Sequence, residues 1–229
     1  MIVAIIPARI GSKRIKKKNI KLFLGRPIIS YSIKSAQKSK IFDKIIVSTD
    51  SNIIGNIAKK YGAEFLFKRP KSLSGDSVNT RKVILHAIKW LSKNFKKPNI
   101  VCCIYPTAPL MSHVDLIKSF KKIKSKKWNY IFSATKNSFP IERCFFLNKK
   151  NKIIQINKNN FFKKSQFFKP TYRDAGQFYW GTYHTWVNKS IIFEKNSSIY
   201  QLSNLRTQDI DNIEDWKAAE QLYRINNKI

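Results

Sequence analysis

Glycine is scarce in this chain, with seven in 229 residues, and acid is scarce beside base, with 13 Asp and Glu against 45 Lys and Arg. So few glycines leave no room for the dinucleotide fingerprint, which needs them at fixed spacing after a strand. A phosphate-binding P-loop is excluded as well, because Gly11-Ser12-Lys13 lacks the upstream glycine and its serine precedes the lysine. Three cysteines, Cys102, Cys103 and Cys144, show no metal spacing, and the adjacent pair sits in an apolar run like a buried strand. Reduced thiols and a cytoplasmic location follow as expectations. No apolar run reaches the roughly 18 charge-free residues of a membrane span. The opening run Ile2–Pro7 is too short for the apolar part of a secretory leader, and no basic stretch precedes it. His86, His113 and His184 lie far apart without ligand spacing, and no Ser-His-Asp or Cys-His arrangement stands out. His86 reads as structural.

What is abundant is positive charge, a formal +32. Such charge attracts nucleic acid or anionic membrane, or steers a polyanionic small substrate. The lysines are scattered rather than gathered into a module, and Ile and Asn are frequent too, which favours solvated surface charge. A basic nucleic-acid-binding protein remains the alternative of a different class. Five acids, Asp209, Asp211, Glu214, Asp215 and Glu220, crowd near the C-terminus, and so local a cluster in so basic a chain calls for a reason.

Periodicity gives an alternating pattern. Ile2–Ile6 reads as a central strand covered on both faces, with further strands at Ile45–Val47, Ala63–Phe67, Ile100–Tyr105 and Tyr130–Thr135. Helical spacing falls at Ile28–Ser39, Asn52–Tyr61, Val78–Trp90, Val114–Lys121 and Glu214–Tyr223. Strands alternating with helices predict a parallel sheet with helices on both faces. Ligands of such sheets bind at the carboxyl ends of the strands. From Phe139 the pattern loosens, and residues 145–168 scatter phenylalanines among lysines and asparagines. This segment is expected to be an arm that buries aromatics against something else, with strand character returning at Gln177–Tyr183. No internal repeat is found.

Several polar segments fall where those strands end. Gly11 directly after the first strand allows a tight bend that presents N–H groups to an anion. Arg9, Ser12, Lys13, Arg14 and Lys18 add donors suited to a triphosphate. Asp50 ends the second strand, where it could hold a metal or cap the next helix, a task Ser51 or Asn52 could also perform. Arg69 opens a polar loop with Ser74-Gly75-Asp76 and could pair with phosphate or brace the loop. Tyr105-Pro106-Thr107-Ala108-Pro109 gives a stiff segment suited to holding a base. Asp209 and Asp211 flank Ile210, and in an extended segment residues i and i+2 face the same way. Two carboxylates beside phosphate oxygens make a Mg2+ site, the rival being an acid cluster at a helix N-terminus. A basic loop, a stiff loop and paired carboxylates together point to nucleotidyl transfer.

The segments "IIPARIGSKRIKKKNIKLFLGRPIISYSI", "KIIVSTDS", "KRPKSLSGDS", "YPTAPL" and "DIDNIEDW" resemble the sugar-acid cytidylyltransferases, over nearly the whole chain. "CCIYPTAPL" with "YRDAGQFYWG" is most similar to the branch forming CMP-pseudaminic acid, a nonulosonic acid conjugate for cell-surface glycans. The resemblance implies a single α/β domain over 1–229 with a doubly wound, mostly parallel sheet of the Rossmann-like nucleotidyltransferase type. It also implies a smaller inserted arm, for dimerisation or substrate, at about 139–175. CMP would pass from CTP to the anomeric hydroxyl of pseudaminic acid, releasing pyrophosphate. Sialic, legionaminic and 3-deoxy-manno-octulosonic acids are alternative acceptors, and a guanylyl- or uridylyltransferase on the same fold is a further rival.

By the same resemblance Arg9, Gly11, Ser12, Lys18 and Asn19 would meet the CTP phosphates, and Arg69, Pro106 and Thr107 the nucleotide. Arg9, Lys18, Asp209 and Asp211 would be catalytic, with Mg2+ on Asp209 and Asp211 and Asp50 as a candidate third ligand. Tyr105, Gln177 and Tyr179 would face the sugar, and Arg173 its carboxylate. A homodimer is implied, with neither a specific nucleic acid nor a membrane as partner. Four positions depart from related patterns. Ile10 stands where this branch commonly has a second glycine, and Lys17 where proline is common. Tyr105 and Met111 replace the glutamine and arginine usual in sialic-acid enzymes, shifting the expected acceptor away from sialic acid.

Overall fold

The first strand organises the molecule, because its alternate residues are buried in opposite directions. In the computed structural model, which describes residues 1–159, 161–188 and 191–228, β1 (Ile2–Pro7) sends Ala4 and Ile6 into one apolar cluster and Val3 and Ile5 into another. The chain continues through the short pair β2 (Leu22–Phe23) and β3 (Arg26–Pro27), then α1 (Ile29–Ser39), β4 (Lys44–Ser48), α2 (Asn52–Lys60) and α3 (Thr80–Asn94). There follow β5 (Ile100–Ile104), α4 (His113–Lys124), β6 (Tyr130–Lys136), β7 (Phe145–Leu147) and β8 (Ile153–Gln155). The chain closes with β9 (Tyr172–Thr182), α5 (Tyr183–Val187), β10 (Ser197–Leu202) and α6 (Ile213–Asn227).

The main sheet has six strands in the order β10-β6-β9-β5-β1-β4. β1 pairs in parallel with β4 and β5, and β10 with β6, while β9 runs antiparallel to both of its neighbours. The sheet is therefore mixed but mostly parallel, as expected. Ile33 of α1, Ile54 of α2 and Leu116 of α4 fill one face beside Trp180, whereas Ile84, Ile88 and Leu91 of α3 and Trp186 of α5 fill the other. Cys102 and Cys103 of β5 point to opposite faces and are fully buried. Full burial of each such Ile or Leu contributes about 1.5–3 kcal/mol.

Sequence and structure part company in three places. Ala63–Phe67 is not a strand. It touches the sheet edge through isolated bridges, Ile46 to Glu64 and Thr49 to Lys68, because an outermost segment has a neighbour on one side only and bends away between them. β10 is absent from the periodicity, since its serines and glutamine carry little apolar signal for an edge strand. β9 begins at Tyr172, earlier than its sequence pattern suggests, and carries an irregular register opposite Phe132 and Ala134.

Between β6 and β9 the chain leaves the sheet. There β7 and β8 pair antiparallel, Phe146 opposite Ile154. Among the described residues most of the arm's aromatics find no cover, which leaves them free for the expected burial against something else. Phe139, Phe146, Phe162 and Phe167 are 62–85% exposed, and Leu147 and Ile153 beside them are open as well.

A third, small cluster matters for the site. Ile15 and Phe23 pack against Ile210, Trp216 and Ala219, with the ring of Phe23 edge-on to Tyr31 at 5.2 Å and to Trp216 at 5.7 Å. It clamps the start of α6 against the loop after β1.

Candidate active site

The carboxyl ends of β1 and β5 open onto a cavity of about 420 Å3. Its walls carry five cations, Arg9, Lys13, Arg14, Lys18 and Arg69, against three carboxylates, Asp76, Asp209 and Asp211.

The loop after β1 is shaped from behind. Asp50 accepts the Ile10 N–H at 3.0 Å, and the buried Asn19 amide donates to the Arg9 carbonyl at 2.8 Å. Asp50 is thus a brace and does not line the cavity, and Ser51 caps α2 by accepting from the Ile54 N–H. Ile10 needs no positive φ, and its side chain packs on the core. The turn falls instead at Lys17, whose φ of 51° is closed to the proline common there. Gly11 also has no positive φ, an added Cβ would meet only Arg9 Nη1 at 4.0 Å, and the residue lies outside the cavity lining. The tight bend expected at Gly11 is present, closed by the Ser12 N–H donating to the Ile10 carbonyl at 3.0 Å, but it needs no positive φ there.

Arg69 is 4% exposed. Its backbone N–H donates to the Thr49 carbonyl at 2.7 Å and its Nε to Ser74 Oγ at 3.3 Å. Burial pulls its pKa down, with Asp50 opposing and Arg9 assisting. Arg9 and Lys13 both reach across to Asp76, Lys13 at 2.8 Å. The "SGDS" loop therefore presents a carboxylate to two of the cavity's cations.

Asp209 and Asp211 arrive from the far end of the chain and both face the cavity. Lys18 Nζ donates to the Ile210 carbonyl at 2.6 Å and lies 3.7 Å from Asp211, which also pairs with Arg14 at 2.6 Å. Burial lowers the Lys18 pKa against the pull of Asp211 and Asp209. Burial, then the charge of Asp211, raises the pKa of Asp209, with Lys18 opposing. Two carboxylates held this close suit a hard divalent cation whose other ligands are phosphate oxygens and water. Among the described residues no third Asp, Glu, His or Cys joins them.

The stiff segment after β5 is pinned by α1, whose Ser32 donates to the Tyr105 carbonyl at 2.8 Å and Ser35 to the Met111 carbonyl at 2.7 Å. Pro106 and Thr107 line the first cavity. Tyr105 and Thr80 also border a second cavity of about 700 Å3, which reaches Asp174, Tyr179, Trp186 and Phe193. Tyr105 and Tyr179 stack at a tilt, with ring centres 5.3 Å apart.

Twelve of the expected residues thus meet in the first cavity: Arg9, Ser12, Lys13, Arg14, Lys18, Asn19, Arg69, Tyr105, Pro106, Thr107, Asp209 and Asp211. Tyr179 lies in the second. Gly11, Asp50, Arg173 and Gln177 line neither. Arg173 is exposed in β9 opposite Thr135. Gln177 is buried and donates to the Arg206 carbonyl at 2.6 Å. Asp76 and Asp174 escape sequence reasoning as site residues, although both sit inside the motifs "KRPKSLSGDS" and "YRDAGQFYWG".

A cationic cavity beside paired carboxylates, opening onto a second cavity at the same sheet edge, defines a nucleotidyltransferase site. Residues 3–229 match the family described as Cytidylyltransferase, and the chain belongs to that family. It is 40% identical to a pseudaminic acid cytidylyltransferase of Campylobacter jejuni, over 99% of this chain and 97% of that protein. It is 34% identical to the Helicobacter pylori protein named pseudaminic acid cytidylyltransferase and UDP-2,4-diacetamido-2,4,6-trideoxy-beta-L-altropyranose hydrolase, over 95% of this chain and 42% of that protein. In fold it is similar to a CMP:2-keto-3-deoxy-manno-octonic acid synthetase complexed with CTP, with a TM-score of 0.73 at 14% identity, covering 100% of this chain and 99% of that one.

Proposed function

We propose that this chain transfers CMP from CTP to the anomeric hydroxyl of pseudaminic acid. The adjoining cavities carry this reading, one cationic with two carboxylates and one lined by tyrosines and aromatic walls, in a chain 40% identical along nearly its whole length to a protein named for that activity. The anomeric oxygen attacks the α-phosphorus, the bond to the β-phosphate bridging oxygen breaks, pyrophosphate leaves, and the hydroxyl proton passes to solvent.

The protein's contribution is position and charge. Arg9, Lys13, Lys18 and Arg69 take the phosphates, and Arg9 and Lys13 exchange Asp76 for phosphate oxygens as they do so. Pro106 and Thr107 border the nucleotide. Asp209 and Asp211 would hold Mg2+, which neutralises charge on the phosphate oxygens when bound. The raised pKa of Asp209 fits such a role, because a buried carboxylate short of counter-charge gains most from a cation.

The partner in assembly is a second copy of the chain, covering the apolar residues that β7, β8 and their flanks expose. No specific nucleic acid or membrane partner is proposed. Among the described residues no helix is long and apolar enough to cross a membrane, and a cytoplasmic place suits the use of CTP.

Pyrophosphate release from CTP and Mg2+ tests the reading, with pseudaminic, legionaminic, sialic and 3-deoxy-manno-octulosonic acids supplied in parallel, and UTP and GTP in place of CTP. Release with pseudaminic acid and CTP is expected. Preference for another acid keeps the chemistry and replaces the acceptor. Release with none, from protein that binds nucleic acid with a steep salt dependence, overturns the reading.

A further inference from the structure

Asp174 is a carboxylate without a cation. In a chain with 45 basic residues, the ion pairs among the described residues use Glu64, Asp76, Asp115 and Asp211, but not Asp174. Asp174 is exposed, yet both of its oxygens are engaged by its own strand. One oxygen accepts from the Gly176 N–H at 3.0 Å, across a turn in which Gly176 has a φ of 59°. The other accepts from the Tyr179 hydroxyl at 2.5 Å.

That second contact sets the polarity of the cavity. Tyr179 is 4% exposed, and burial with Tyr105 and Asp174 nearby pushes its pKa far up, so the phenol keeps its proton. The proton is committed to Asp174, which leaves the phenol oxygen with lone pairs alone to offer. A carboxylate has about four lone-pair sites, and two contacts leave the rest of those on Asp174 for a ligand. The Arg81 guanidinium at the same cavity is turned to the backbone, donating to the Trp186 carbonyl at 2.6 Å. The end of the cavity near Asp174 therefore accepts hydrogen bonds, beside apolar walls of Ile192, Trp186 and Phe193. The first cavity has the opposite character, with five cations. Thr80 and Tyr105 border both.

We infer that Asp174, oriented by Tyr179, is a specificity-determining residue that accepts an amide N–H or hydroxyl hydrogen of the acid sugar, and that the two opposed cavities align this dipolar acceptor. Its carboxylate and anomeric end turn to the cationic cavity, and its N-acyl end to Asp174. This rests on the proposed transferase activity. A sugar that lacks the hydrogen leaves the carboxylate desolvated and unpaired, which is how a polar site rejects a near-isostere.

The test is steady-state pyrophosphate release by Asp174→Asn and Tyr179→Phe beside wild type, with pseudaminic acid and with an analogue N-methylated at its acetamido nitrogens. Wild type is expected to turn over the analogue about 10–100-fold less efficiently. In Asp174→Asn the KM for pseudaminic acid rises about tenfold or more, the KM for CTP stays within about twofold, and the penalty on the analogue shrinks toward unity. Tyr179→Phe moves in the same direction by less, because Asp174 keeps its turn but loses its tether. Equal analogue penalties in wild type and Asp174→Asn, or a CTP KM that rises in step with that for the sugar, overturn the assignment while the transferase reading stands. No turnover of any acid sugar by wild type overturns both.

Discussion

Replacing Asp115 by alanine tests how the Asp209–Asp211 segment is carried to the site. Asp115 lies in the first turn of α4 and is 2% exposed. Its carboxylate accepts from the Ser112 N–H at 3.0 Å, completing the cap of α4. It also receives both terminal nitrogens of Arg206, Nη1 at 3.1 Å. Arg206 stands shortly before Asp209 in the chain, and its carbonyl accepts from Gln177 at 2.6 Å. Loss of the cap costs about 1 kcal/mol, and removing one partner of a buried ion pair costs about 3–5 kcal/mol. The side chain of Arg206 is 29% exposed and recovers some hydration, so the lower end applies and the total is about 3–4 kcal/mol. For a chain of this length that corresponds to a fall in Tm of about 10 °C. Urea unfolding of wild type, Asp115→Ala, Arg206→Leu and the double variant Asp115→Leu/Arg206→Leu measures it. The double variant is expected to recover most of the loss, since no unpaired charge is left buried. An Asp115→Ala loss below about 1 kcal/mol at unchanged m refutes the reasoning, because the pair would then behave as a solvated one. So does a double variant no better than the singles.

Further outcomes are expected elsewhere. Lys18→Met cuts the tie between the loop and the Ile210 carbonyl, so the KM for CTP should rise about tenfold or more and the Mg2+ requirement with it, read from pyrophosphate release. Gly181→Ala places a Cβ 2.8 Å from both Trp186 Nε1 and the Tyr130 ring, two fully buried side chains, and should cost about 1–3 kcal/mol in urea unfolding. Burial, with Arg69 adding to it, depresses the pKa of His86. The unfolded chain therefore binds that proton more tightly, and stability from this group is complete above the ordinary histidine value of about 6.5 and lost as pH falls from there through the depressed folded value. His86→Gln should flatten that part of the pH–stability curve, and an unchanged slope would count against the assignment.

The layers and most of the nucleotide cavity are legible in the order of the amino acids. β1, β4 and β5 stand out because a strand buried on both faces reads as an unbroken apolar run, and the helices because their buried residues recur every three or four positions. Arg9 and Lys18 can be named because the polar loop that follows such a strand lies at the sheet's carboxyl edge, whereas Asn19 is named through the resemblance to the cytidylyltransferases. Asp209 and Asp211 can be paired by the period of two, a local property.

Which side chains share a ligand and which serve the fold is settled by packing in three dimensions. Asp50 and Gln177 are as polar as the residues that line the cavities, but backbone groups of Ile10 and Arg206 claim them, and no local pattern encodes a partner distant in sequence. That the loop after β1 bends around Gly11 without a positive φ and takes its left-handed residue only at Lys17 is visible in three dimensions alone. β10 joins the sheet through hydrogen bonds to β6, with Ile199 and Tyr200 packing on opposite faces. Asp174 becomes visible because an irregular, antiparallel β9 in the middle of the sheet turns it toward Tyr179 and leaves it without a cation. Such opposed polarity between neighbouring cavities is a property of distances between strands, and one-dimensional order does not contain it.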